Sequence, residues 1–326
     1  MTDTVECRLC PRKCRLSDGG RGNCRVRMNR DGRLVSLVYG KPVSLNIDPV
    51  EKKPLFHFLP GTKTFSLATA GCNLHCMNCQ NWQISQLDPE DAETVDMSPA
   101  QIVAAARQRG CQSISSTYTE PIVFFEYATD IATAAKAVGL KNVWVTAGFI
   151  EQEPLKEACR VVDAANVDIK AFSDDFYRRI CQGRLQPVLD AIETMCRQGV
   201  LVEITNLVIP GENDDMGMIR DMCRFIVDKC GPTTPLHFSR FHPMYRMQER
   251  LPTPPETLFK AADVAVAAGL KHVYVGNTDA GDHAHTWCPS CGRKVIERRG
   301  YQVLSNKVGS DGKCDFCGKP VAGIWG

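Results

Sequence analysis

The chain has 326 residues, enough for one large core with appendages. Its 39 Lys and Arg against 37 Asp and Glu leave no charge excess to draw nucleic acid or a membrane surface, and no stretch approaches the ~18 apolar residues of a membrane span. Seventeen cysteines, mostly in closely spaced sets, follow an N-terminus (MTDTVECRLC) that lacks the apolar core of a signal peptide, so they read as metal ligands in a reducing cytoplasm rather than as secreted disulfides.

Residues 1 to 60 form a first, Cys-rich part. Cys7, Cys10, Cys14 and Cys24 stand in CRLCPRKCRLSDGGRGNC, broken by the turn residues Asp18-Gly19-Gly20 and Gly22. Four thiols so close in sequence suit either a structural zinc site or an auxiliary iron–sulfur cluster, and spacing alone leaves both open. Two alternating segments, RLVSLVYG and KPVSLNI, are split at Gly40 and predict short strands.

Residues 61 to 277 alternate between strand and helix patterns. Strands are predicted at Thr64–Ala68, Gln112–Thr117, Asn142–Thr146, Ala165–Ile169, Leu201–Val208, Leu236–Phe241 and His272–Val275. Helices are predicted from Ser98 to Gly110, with Ser as cap and Pro at the first turn, and at Pro121–Val138, Gln186–Gln198 and Met216–Lys229. This rhythm implies right-handed βαβ crossovers and a parallel sheet, with chemistry at the C-terminal strand ends. The first strand runs straight into Gly71 and then Cys72, Cys76 and Cys79, spaced Cys-x3-Cys-x2-Cys. Zinc wants four ligands, and no fourth cysteine follows until Cys111. Three thiolates instead suit a four-iron cluster, with one iron left open to a small chelating molecule. The scattered Cys111, Cys159, Cys181, Cys196, Cys223 and Cys230 read as small core residues.

Residues 283 to 326 hold Cys288 and Cys291 in CPSCG and Cys314 and Cys317 in CDFCG. Two such knuckles around VIERRGYQVLSNKV predict a zinc ribbon, with a rubredoxin-like iron site as the rival occupant.

The triplet resembles the signature of the radical S-adenosylmethionine (SAM) enzymes. That resemblance implies an open (β/α)6 barrel, a 4Fe-4S cluster on Cys72, Cys76 and Cys79, and SAM chelating the open iron. Reductive cleavage of SAM then yields a 5′-deoxyadenosyl radical that abstracts hydrogen. It further implies SAM contacts from Glu120 in Tyr-Thr-Glu-Pro, Lys170 in Asp-Ile-Lys, Asn206 in the run EITNLVIPGENDD, and His242 in LHFSRFHP. Thr146-Ala147-Gly148 is similar to the Thr-Asn-Gly of glycyl-radical activating enzymes, with Ala for Asn, and Asn78 replaces an often aromatic residue. Over essentially the whole chain, CRLCPRKC, DGGRGNCRVR, DPVEKKPLFHFLPG, CQNWQISQ, NVDIKAF and the terminal knuckles resemble the AmmeMemoRadiSam system radical SAM enzyme. That family is related to pyruvate formate-lyase activating enzymes.

The expected function is therefore a radical SAM oxidoreductase acting on a protein or metabolite. The resemblance implies AMMECR-family and Memo-family partners and a one-electron donor such as flavodoxin or ferredoxin. Two alternatives are a glycyl-radical activase and a non-catalytic metal-binding scaffold. Nucleic-acid binding through Arg293, Lys294, Arg298 and Arg299 finds little support in a neutral chain.

Overall fold

The apolar and small residues at the predicted strands are buried on both faces, as a sheet covered by crossover helices requires. In the computed structural model, which describes residues 4–326, they form one eight-stranded sheet. Four short strands precede it: β1 (Val5–Glu6) pairs with β2 (Arg15–Leu16), and β3 (Arg27–Arg30) with β4 (Arg33–Ser36). The main sheet begins at β5 (Ser44–Pro49), which runs antiparallel to β6 (Lys63–Ala68). The parallel strands β7 (Ser113–Ser116), β8 (Lys141–Thr146), β9 (Ala164–Asp168), β10 (Leu201–Val208), β11 (Leu236–Arg240) and β12 (Val273–Gly276) follow in spatial order.

The helical signals hold where caps were legible. After the single turn α1 (Trp82–Ser85) comes α2 (Pro99–Gln108), opened by a full capping box between Ser98 and Gln101. A 3-10 turn at Pro121–Phe124 leads into α3 (Phe125–Lys136). Among the elements that escaped the sequence reading are α4 (Gln152–Ala158), the turn α5 (Asp174–Phe176) continued by a π-helical turn at Tyr177–Cys181, and α8 (Pro255–Ala267). The first is short and contains Pro154, and the last starts behind the Pro254-Pro255 pair. Between them lie α6 (Gln186–Arg197) and α7 (Met216–Cys230), the latter capped by Asp215. Six β/α units and a closing β12 thus make the open, partial barrel, with its outer core between sheet and helices. Among the described residues no helix is long and apolar enough to cross a membrane.

The strand predicted from KPVSLNI is β5, an edge strand of the main sheet rather than part of a separate N-terminal unit. Behind it, residues 50 to 59 plug the barrel floor: Val50, Leu55, Phe58 and Leu59 pack on Val143 and Ala164. Cys196 and Cys230, read as separate core residues, instead form a disulfide joining the ends of α6 and α7. Cys111 and Cys223 are buried, as expected of small core residues.

The C-terminal segment carries β13 (Thr286–Trp287), β14 (Lys294–Arg299) and β15 (Gln302–Asn306) in an antiparallel sheet. It docks on the floor through Arg298, which donates to Thr286 Oγ1 (2.8 Å) and Phe56 O (2.7 Å) and faces Glu51 at 3.8 Å. His57 bridges the same joint. Its Nδ1 must donate to Ala322 O (2.6 Å), so its Nε2 accepts from Tyr274 Oη (2.6 Å).

Candidate active site

The C-terminal end of β6 delivers the three clustered cysteines. Gly71 turns the chain there at φ +92°, and its N–H bonds Ile84 O at 3.0 Å. The loop that follows is tied down along its length. Asn73 Nδ2 donates to Phe149 O (2.8 Å), and the N–H groups of His75 and Met77 reach Cys181 O and Ile180 O at 3.0 and 2.9 Å. Leu74 N–H points at Cys72 Sγ (3.4 Å), and Ser85 Oγ lies 3.2 Å from Cys79 Sγ. Burial pushes the thiols of Cys72 and Cys79 up, whereas Cys181 beside Cys76 holds that thiol down.

Glu120 sits at the end of β7, buried, and is the best-anchored carboxylate at the mouth. Thr146 Oγ1 donates to its Oε1 at 2.5 Å and Ala147 N–H to its Oε2 at 2.8 Å. Burial nevertheless pushes its carboxyl up to about 7. Tyr118 adopts φ +64°, a conformation that favours glycine, and is held there by Asn81 Nδ2 on its carbonyl (2.8 Å), by Asp48 on its hydroxyl and by Lys53 over its ring. Lys170, at the end of β9, gives its Nζ to Asp168 Oδ2 at 2.6 Å. Burial opposes its charge, but Asp168 and Cys76 hold the ammonium well above the usual lysine range. Cys72 feels the charge of Glu120, and Cys76, Cys79 and Glu120 feel that of Lys170, so these groups converge on one site.

Asn206 and His242 make none of these side-chain contacts. Thr205 pairs with Asp168 and His237 across the sheet, so it shares the barrel-interior face, and Asn206 shares the opposite face with Ile204 and Val208. Asn206 Nδ2 donates to Ile169 O at 2.8 Å, so Asn206 braces the backbone that presents Lys170. Buried Thr205 Oγ1 and Asn206 Oδ1 lack protein partners. His242 is exposed, two residues beyond β11. His237 meets Glu203 at 2.7 Å in the floor network, remote from the strand ends. Sequence reading undervalued Thr146, Asp168 and Cys181; the first two carried a signal, polar residues at strand ends.

The C-terminal thiols form a different kind of site. Cys288 and Cys317 lie 3.7 Å apart and Cys291 and Cys314 3.9 Å, with all four sulfurs within 4.8 Å of one another. Sulfurs about 2.3 Å from one tetrahedral ion stand about 3.8 Å apart, so this is a single-ion site of unspecified metal. Among the described residues, neither the Cys72 triplet nor the N-terminal four thiols draw so close. Beside the triplet loop opens a cavity of about 300 Å³, lined by Asn23, Arg25, His75, Gln86, Tyr245 and Arg246 among others.

Three half-buried thiols on one loop, a carboxylate and an ammonium at neighbouring strand ends, and a parallel partial barrel define a class of metal-dependent radical enzyme. Residues 66–224 match the Radical SAM superfamily. Uncharacterized protein MJ0808 of Methanocaldococcus jannaschii is 44% identical over 318 residues, covering 97% of this chain and 95% of that protein. A radical SAM methyltransferase from Sphaerobacter thermophilus shares the fold (TM-score 0.51, 16% identity, 73% of this chain and 71% of that one). So does Streptococcus suis SuiB bound to precursor peptide SuiA (TM-score 0.51, 13% identity, 71% and 52%). The chain belongs to the radical SAM superfamily and is an enzyme of that class. The superfamily implies a 4Fe-4S cluster and SAM, and the donor set fits both: three thiols for three irons, and opposite charges for an amino-acid moiety.

Proposed function

We propose that this chain is the radical SAM enzyme of the AmmeMemoRadiSam group, acting on a protein or metabolite together with AMMECR-family and Memo-family partners. SAM bound at such a cluster supplies, on one-electron reduction, a 5′-deoxyadenosyl radical that removes a hydrogen atom from the substrate. In this reading Cys72, Cys76 and Cys79 hold three irons. Glu120, fixed by Thr146 and Ala147, accepts from the methionine ammonium. Lys170 offers its charge to the methionine carboxylate, with Asp168 holding the ammonium in place and Asn206 fixing the backbone beneath it. The observation that carries the reading is Glu120 anchored on Thr146, Ala147 and Ile122 within electrostatic reach of Cys72 and Lys170.

The test is anaerobic reconstitution followed by reduction with SAM. Cys76-dependent 5′-deoxyadenosine, accelerated by the two partner proteins together, is the expected result. Iron-loaded protein that forms no 5′-deoxyadenosine overturns the catalytic reading, and formation indifferent to both partners removes the proposed system.

A further inference from the structure

The hairpin β1–β2 places Cys7 and Cys14 directly beyond its ladder, with Cys7 N–H on Cys14 O at 2.9 Å, and Cys10 at its tip. Cys24 arrives from the next turn, closed by Arg25 N–H on Gly22 O at 2.8 Å. Three of these thiols accept backbone N–H bonds from ahead in the chain: Cys7 from Leu9, Cys10 from Arg12, and Cys24 from Val26 and Arg27. The loop proposed to hold the first cluster has the same construction, with Leu74 N–H on Cys72 and Asn81 N–H on Cys79. N–H bonds to sulfur stabilise thiolates and tune bound iron. Burial and the neighbouring thiols push Cys7, Cys10 and Cys24 up, and buried Arg27 opposes that rise at Cys7 and Cys24, so the thiols lie within electrostatic reach of one another.

Spacing separates the candidate occupants. The C-terminal sulfurs stand at single-ion distances, whereas the N-terminal four, like the Cys72 triplet, are more widely spread. A cluster carries each thiolate on a different iron and so holds its sulfurs further apart than one zinc does. The two loops also share a wall. Asn73, next to Cys72, hydrogen-bonds the Cys10 thiol, and Arg12 Nε donates to Asn73 O at 2.6 Å. A Cβ on Gly71 would come within 2.6 Å of Cys24 O.

We propose that Cys7, Cys10, Cys14 and Cys24 bind a second iron–sulfur cluster, which relays electrons through the Gly71–Asn73 wall to the irons held by Cys72, Cys76 and Cys79. A low-potential one-electron carrier protein reduces the second cluster, and the same electron reoxidises it on passing to the first. The relay rests on the radical SAM reading; the second cluster does not.

The decisive protein is the full chain with Cys72, Cys76 and Cys79 all changed to Ala, reconstituted anaerobically. It should retain about two to four irons with matching sulfide, and show a reduced-cluster paramagnetic signal indifferent to SAM. Zinc there, or no metal in a variant whose circular dichroism is native, overturns the proposal. Should that variant not fold, Mössbauer spectra of the wild type decide: two iron populations, one of them unmoved by SAM, support a second cluster, and one population sinks it. Replacing the N-terminal four with Ser should leave 5′-deoxyadenosine formation with dithionite but lose it with a flavodoxin-type donor; equal rates with that donor overturn the relay. Two clusters without SAM cleavage would fail the proposed function alone, and SAM cleavage on one cluster would fail this inference alone.

Discussion

At Glu120 the desolvation that pushes the carboxyl up to about 7 is opposed by donors from Thr146, Ala147 and Ile122 and by the charge of Lys170. Glu120→Gln keeps the shape and removes the charge. With charge-assisted hydrogen bonds contributing roughly 1.5–3 kcal/mol, SAM affinity should fall by about tenfold or more, read by anaerobic equilibrium dialysis. At the floor, burial lowers His272 to about 4, and it packs on His57 at 4.3 Å between ring centroids. The unfolded histidine takes up a proton near pH 6.5 and the folded one does not, so its contribution is complete above pH 6.5 and is lost as pH falls towards 4. Wild type should lose about 2 kcal/mol between pH 7 and pH 5 from this group, and His272→Asn should flatten that part of the thermal-unfolding profile.

At the scale of elements, loops and caps decide where chemistry sits. Gly71 passes the chain from β6 to the thiol loop at a positive φ and against Cys24 O and Val26. Gly71→Ala adds both backbone strain and a clash, costing about 2–4 kcal/mol. Loss of iron from the triplet, and faster proteolysis of the first 30 residues, should accompany the lower midpoint. Strand positions were legible within a residue or two because a doubly covered parallel sheet demands continuous apolar runs. Capped helices were legible too, whereas α4, α8 and the π turn were not: they owe their shape to packing rather than to a cap and a periodic face.

The whole molecule is joined at the floor, where Glu51 and Arg298 are both fully buried. Arg298→Met strands a carboxylate already pushed up by burial, and should cost about 3–5 kcal/mol, while Glu51→Gln in the same chain recovers part of it. Calorimetry should show one transition in wild type and two in Arg298→Met, as the ribbon unfolds apart from the barrel. Chelation acts on the same joint. The ribbon core consists of Val295, Ile296, Val308, Val321 and two of its own metal-binding cysteines, so most of its stability is metal binding. Cys314→Ser should lose one bound ion and melt the ribbon first.

By itself the sequence determined the alternation of strands and helices in a parallel sheet, the three-thiol loop at its first parallel strand end and the paired C-terminal knuckles, because these depend on local periodicity and cysteine spacing. Tertiary structure alone decided that Tyr118 takes a glycine's conformation, that Thr205 rather than Asn206 shares the interior face, and that β5 joins the main sheet. It also set the N-terminal thiols against the triplet loop, with Asn73 between them. Each of these is a long-range contact or a strand register. A sequence pattern states which face is apolar, but which neighbour meets it is settled only when distant segments pack.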